Sequence, residues 1–156
     1  MIAHIRILFI INMFSRIPPT RLAQFTGLPE VSMKSELNEL MKMKIIEENA
    51  GTKRIRTMLF LTEEGQKLYN YYENHFPEHV KSDIDNLQKR HYQQCKDILN
   101  SLAIKPMTLS EISNTTDIKR KELQMYLIFL EKNNHIEIKL EDNSLLHHLI
   151  KDKTGE

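Results

Sequence analysis

The sequence predicts a mainly α-helical protein with small β-hairpins, an α+β fold built as two similar units joined by a long helical connector. Three observations predict it. Apolar residues recur at steps of three and four through most of the chain, the period of a helix with one buried face. Two short strand-like segments, beginning at Ile45-Ile46 and at His135, are each followed by a turn and a return. The chain also overlays itself after a shift of 90 residues, so that Leu22–Glu47 falls on Ile112–Glu137 without a gap. Six of those 26 positions are identical: Thr26/Thr116, Leu37/Leu127, Leu40/Leu130, Lys42/Lys132, Ile46/Ile136 and Glu47/Glu137. Leu22/Ile112, Leu28/Ile118 and Met33/Leu123 are conservative pairs.

The elements follow in order. A first helix is expected from about His4 to Ser15, burying Ile5, Leu8, Phe9 and Met13. Pro18-Pro19 stops it, since proline blocks helix continuation and restricts its predecessor. Thr20 is expected to cap a second helix that buries Leu22, Ala23 and Phe25 and ends at Gly27, where a left-handed residue is wanted. Pro29 suits the first turn of a third helix over 30–43. A strand begins at Ile45-Ile46, Asn49-Ala50-Gly51 turns the chain, and Met58–Leu61 returns it. Thr62 caps a fourth helix that reaches about Phe76. Pro77 breaks it and starts a long helix to Ala103, in which Val80, Ile84, Leu87, His91, Cys95, Ile98 and Leu102 form a narrow apolar stripe suited to pairing with another helix. Beyond it, HIEIKL alternates as a strand, Glu141–Ser144 turns, and LLHHLI returns.

Net charge is only +1, but it is unevenly spread. Residues 1–62 hold nine Lys/Arg against five Glu, and residues 63–156 hold thirteen against sixteen acids, so a polyanion would meet the N-terminal half. One cysteine, Cys95, excludes an intrachain disulfide and fits a reducing cytoplasm. The apolar N-terminal run ILFIINMF is too short to span a bilayer and no small-x-small cleavage site follows it, so no membrane role is expected.

The segment Thr20–Thr62 gives a short helix, a tight turn at Gly27, a second helix, a strand, a basic loop, a returning strand and a new helix opened by LTEEG. That order and spacing resemble the winged helix-turn-helix of bacterial and archaeal MarR-like transcriptional regulators over about the first 75 residues. The resemblance implies double-stranded DNA as partner, with the helix 30–43 in the major groove and the wing beside it. On a wheel of about 100° per residue, Met33, Leu37 and Leu40 share one side of that helix. Val31, Lys34, Ser35, Asn38 and Lys42 fall together on another, with Ser32 near its start and Glu36 and Glu39 off the arc. Lys can bond guanine acceptors or phosphates, Asn38 can address adenine bidentately, and a Val31 methyl can meet thymine. Thr52, Lys53, Arg54, Arg56 and Thr57 form a cationic hairpin with no acid within it, which surface ion pairing does not explain. Thr20 and Arg21 would contact backbone, positioning the module.

The second unit reads differently. Lys121, Gln124, Met125, Ile128 and Lys132 stand where the first has Val31, Lys34, Ser35, Asn38 and Lys42, and Tyr126 and Phe129 replace Glu36 and Glu39. The helix is apolar nearly all round and the hairpin tip is Glu141-Asp142, the wrong sign for phosphate, so a protein interface suits it better. A homodimer interface is therefore expected at Ile84, Leu87, His91, Met125, Ile128 and Phe129. Paired modules set two reading helices in successive major grooves. The expected division is 1–76 for DNA binding, 77–103 for a connector and dimerisation helix that begins the second unit, and 104–156 for the remainder.

His75/His79, His91/Cys95 and His147-His148 lack the ligand count or alignment of a metal site. No phosphate loop, nucleophile elbow or dinucleotide fingerprint is present, so no enzyme, metal or cofactor is expected. The resemblance allows a small-molecule effector between the DNA-binding and dimerising parts, but a second winged-helix-like unit departs from that family. The expectation is a cytoplasmic, homodimeric regulator. The alternatives are a tandem winged-helix scaffold that binds proteins, as in transcription-machinery or sorting complexes, and a plasmid or viral replication DNA-binding factor.

Overall fold

The structure is a computed structural model and describes residues 2–49 and 57–150. Among the described residues the chain is mainly helical, with seven helices and two antiparallel two-stranded sheets. It forms two compact units, Met1–Leu87 and Gln88–Glu156.

Unit 1 opens with α1 (Ile2–Phe14), buried nearly all round: Ile7, Ile10, Ile11 and Phe14 join Ile5, Leu8 and Phe9 inside, while Met13 is only half-buried. Ser15 then turns left-handed at φ 68° and ends it. The next helix, α2 (Pro19–Thr26), starts two residues earlier than expected. Pro18 is its N-cap and Pro19 its first residue, so Thr20 lies inside the helix and caps nothing. Proline presets the helical φ and lacks only an N–H that would go unbonded there, so it wins the position. Gly27 closes α2 at φ 71°, its N–H donating to the Ala23 carbonyl.

Helix α3 (Glu30–Lys42) follows, with Pro29 as N-cap. Strands β1 (Ile46–Asn49) and β2 (Met58–Leu61) pair antiparallel in the register Ile46↔Leu61 to Asn49↔Met58. Ile17 adds an edge bridge, exchanging both backbone hydrogen bonds with Leu59 at 3.1 and 2.8 Å. Leu22, Leu40, Ile46 and Leu59 are fully buried around it, each such side chain contributing about 1.5–3 kcal/mol.

Helix α4 (Glu63–Asn74) is capped by Thr62, whose Oγ1 accepts from the Gly65 N–H at 3.0 Å and donates to the Lys44 carbonyl at 2.7 Å. Gly65 explains the LTEEG string. A Cβ there would stand 2.1 Å from the Ile45 carbonyl oxygen, so only glycine lets α4 lie this close to the strand entry. Helix α5 (Glu78–Ile104) then runs through the division between the units.

Unit 2 continues with α6 (Leu109–Thr116), α7 (Arg120–Lys132), β3 (Ile136–Glu141) and β4 (Ser144–Leu149). The 90-residue offset holds in detail. Helices α2 and α6 begin at Pro19 and Leu109, and α3 and α7 at Glu30 and Arg120. Asp117 takes the left-handed place of Gly27, and Asn134 that of Lys44. Thr26 and Thr116 each donate to a carbonyl four residues back, Leu22 and Ile112, at 2.7 Å. Met107, the counterpart of Ile17, bridges β4 at His147. Asp142 and Asn143 turn the second hairpin with φ of 49° and 63°, the left-handed pair that a tight two-residue loop requires.

Candidate nucleic-acid interface

Helix α3 is held from below and open above. Met33, Leu37 and Leu40 are buried, while Val31, at 83 % exposure, stands out in solvent. Ser32, Lys34, Ser35, Asn38 and Lys42 are all exposed. The lysine Nζ of Lys34 lies 3.4 Å from Glu30, one turn back, an exposed pair that competes weakly with any phosphate. Glu36 and Glu39 turn the other way, toward His4 of α1: His4 Nε2 contacts Glu36 and lies 3.4 Å from Glu39. The outward face therefore carries hydroxyl, amide and ammonium groups, with the two mid-helix acids withdrawn from it.

Thr20 is exposed at the start of α2 and Arg21 is half-buried beside it, its backbone N–H donating to the Pro18 carbonyl at 2.9 Å. Between α2 and α3 lies a cleft of about 360 Å³ whose lining includes Thr20, Gln24, Glu30 and Lys34. It is mixed in charge and large enough for a small ligand. Lys53, Arg54 and Arg56, with Thr52, lie outside the described residues.

One ion pair braces this module. Arg6 Nε donates to Asp83 Oδ2 at 2.8 Å and Nη2 to Oδ1, while Nη1 donates to the Thr26 carbonyl at 3.0 Å. One guanidinium thus ties α1 to the end of α2 and to α5. The hydrogen bond from Arg6 holds the Asp83 carboxyl below the usual range, with partial burial opposing.

The expected dimer-interface residues divide by burial. Ile84, Leu87, His91 and Met125 are all buried within the chain. The α5 stripe is taken up by the chain's own packing, which leaves Ile128 and Phe129 as the accessible residues of the set. His91 is satisfied internally, its Nδ1 lying 2.7 Å from the Tyr126 hydroxyl, and burial drives the Tyr126 hydroxyl well above its ordinary range. Phe129 is half-buried, its ring stacked on Tyr92 at 6.4 Å. Ile128, at 56 % exposure, is open to solvent. With Leu109, Ile138 and Leu145 it lines an apolar groove of about 350 Å³, not legible in the sequence because its parts come from four elements. Cys95 is buried, which pushes its thiol up to about 12 and removes the thiolate that redox sensing needs.

Among the described residues, His4, Glu36 and Glu39 are the one group of three metal-capable donors, with one ligand atom from each lying within 4.8 Å of the others. Sequence reasoning passed over it. The i, i+3 spacing of Glu36 and Glu39 was visible, but not that His4 faces both. Among the described residues no helix is long and apolar enough to cross a membrane. Neither a scan against protein-family models nor a search of curated proteins returns a match for the chain.

Proposed function

We propose that this chain is a sequence-specific, double-stranded-DNA-binding transcriptional regulator built from two winged-helix units in tandem, the first resembling those of MarR-like regulators. The observation that carries the reading is the outward face of α3, where Val31, Lys34, Ser35, Asn38 and Lys42 are accessible while Glu36 and Glu39 turn to His4. Such a face offers amide and ammonium donors to base edges and phosphates, with Glu30 paired to Lys34 at its start. The basic segment 52–57 would lie on the backbone or in the minor groove. The tandem reading is supported by helix starts, left-handed residues and threonine hydrogen bonds that recur at one offset. The regulator acts in the cytoplasm as a homodimer, and the cleft between α2 and α3 is the place for a small-molecule effector.

Selecting duplexes from a random pool tests this reading. Asn38→Ala weakens binding to the selected duplex by about 1–3 kcal/mol and relaxes preference at one position, whereas Lys42→Ala weakens all duplexes alike. A pool that yields no consensus overturns sequence-specific recognition.

A second reading, a tandem winged-helix scaffold that binds proteins, is favoured by one observation. Ile128, Ile138, Leu140 and Leu145 leave apolar surface around the unit 2 groove that a monomer ordinarily covers.

A further inference from the structure

His4 reaches from α1 across to α3, where Glu36 and Glu39 sit three residues apart on the same face. Its Nε2 contacts a Glu36 carboxylate oxygen, and a Glu39 oxygen lies 3.4 Å away. Closeness has not made a hydrogen bond: Nε2 is shut off from solvent, and neither carboxylate oxygen meets it with acceptable geometry. The imidazole nitrogen is thus buried between two carboxylates and unsatisfied by either.

Packing does not require this arrangement. In unit 2 the positions of Glu36 and Glu39 are Tyr126 and Phe129, which pack on His91 and Tyr92 of α5. The same helix seam is filled there by aromatic rings. Two carboxylates at i, i+3 on a helix repel one another, and a partly exposed ion pair contributes little to stability. The acids of unit 1 therefore serve something other than the seam.

The donor set names the ligand class. One imidazole nitrogen with two carboxylate oxygens suits a divalent first-row transition ion, Zn²⁺ or Mn²⁺ rather than Ca²⁺, which takes six or more oxygens. Two carboxylates balance the dication's charge, and three protein donors leave room for water. Glu39, with 62 % of its side chain exposed, leaves a way in. We propose that His4, Glu36 and Glu39 bind such an ion and thereby fasten α3 to α1. The ion site stands on this geometry alone. Its consequence, that the ion sets the stiffness of the reading helix, rests on the DNA-binding reading.

The test is calorimetric titration of the metal-free full chain with ZnCl₂, beside thermal unfolding with and without the ion. The wild type binds one ion per chain at this site and unfolds at higher temperature when loaded. Glu39→Gln, at an exposed position that leaves the fold intact, and Glu36→Gln each weaken that binding about tenfold or more. Absence of saturable one-to-one binding, or equal binding by the wild type and both variants, overturns the site. If the ion binds as expected and the chain binds DNA, loading changes duplex affinity in the wild type and not in Glu39→Gln. If the chain binds no DNA, the titration still decides the site.

Discussion

Arg6 and Asp83 stand far apart in the sequence and meet in a two-pronged ion pair, with the same guanidinium also holding the Thr26 carbonyl. Thr26 is the last residue of α2, the helix before the turn that delivers α3. The pair therefore ties α1, the end of α2 and the start of α5 together within unit 1.

Replacing Asp83 by Asn should lower stability at pH 7 by about 1.5–3 kcal/mol, the range for hydrogen bonds to charged groups. The sign with pH follows from the depressed carboxyl of Asp83. Its contribution is complete above the unfolded value of about 3.9 and is lost as pH falls through the lower folded value. Urea unfolding of both proteins at pH 7 and near pH 3 should show the gap between them closing in acid. A gap that stays constant would leave the pair without a role in acid stability.

Gly65 is a helical glycine for which alanine should be worse. Glycine to alanine in a helix ordinarily gains about 0.5–1 kcal/mol. Here the new Cβ meets the Ile45 carbonyl oxygen at 2.1 Å and the carbonyl carbon at 3.1 Å, both backbone atoms. Overpacking of this kind costs about 1–3 kcal/mol, so Gly65→Ala should lower the denaturant midpoint. A raised midpoint would contradict the close approach of α4 to Ile45.

Cys95 should behave as a core residue. With its thiol pushed up to about 12 by burial, it should react with a disulfide reagent at pH 8 far more slowly in the folded protein than in denaturant. Equal rates would place it at the surface.

Much of the fold was legible because its signals are local. The Thr62 cap, the Gly27 stop and the return at Met58–Leu61 each need only a few neighbouring residues to be read. The same kind of signal failed at Thr20, where a good cap residue follows two prolines that take the helix start themselves. The stripe Ile84, Leu87, His91 was visible as a stripe, but periodicity does not say whether the helix that covers it belongs to the same chain. Here the stripe is buried. The outward face of α3 could be read because one helix wheel holds all of it. The cluster of His4 with Glu36 and Glu39 could not, since it depends on the packing of α1 against α3.

The central claim is DNA binding by the first unit, and the most direct measurement is fluorescence-anisotropy binding to mixed duplex DNA across a salt series. It compares the wild type with Lys53→Ala/Arg54→Ala/Arg56→Ala. The account predicts binding that weakens as salt rises, with a log–log slope made shallower by about 0.9 for each phosphate the altered wing no longer neutralises. A folded wild type that binds no duplex even at low salt would contradict it and leave the protein-binding scaffold as the better reading.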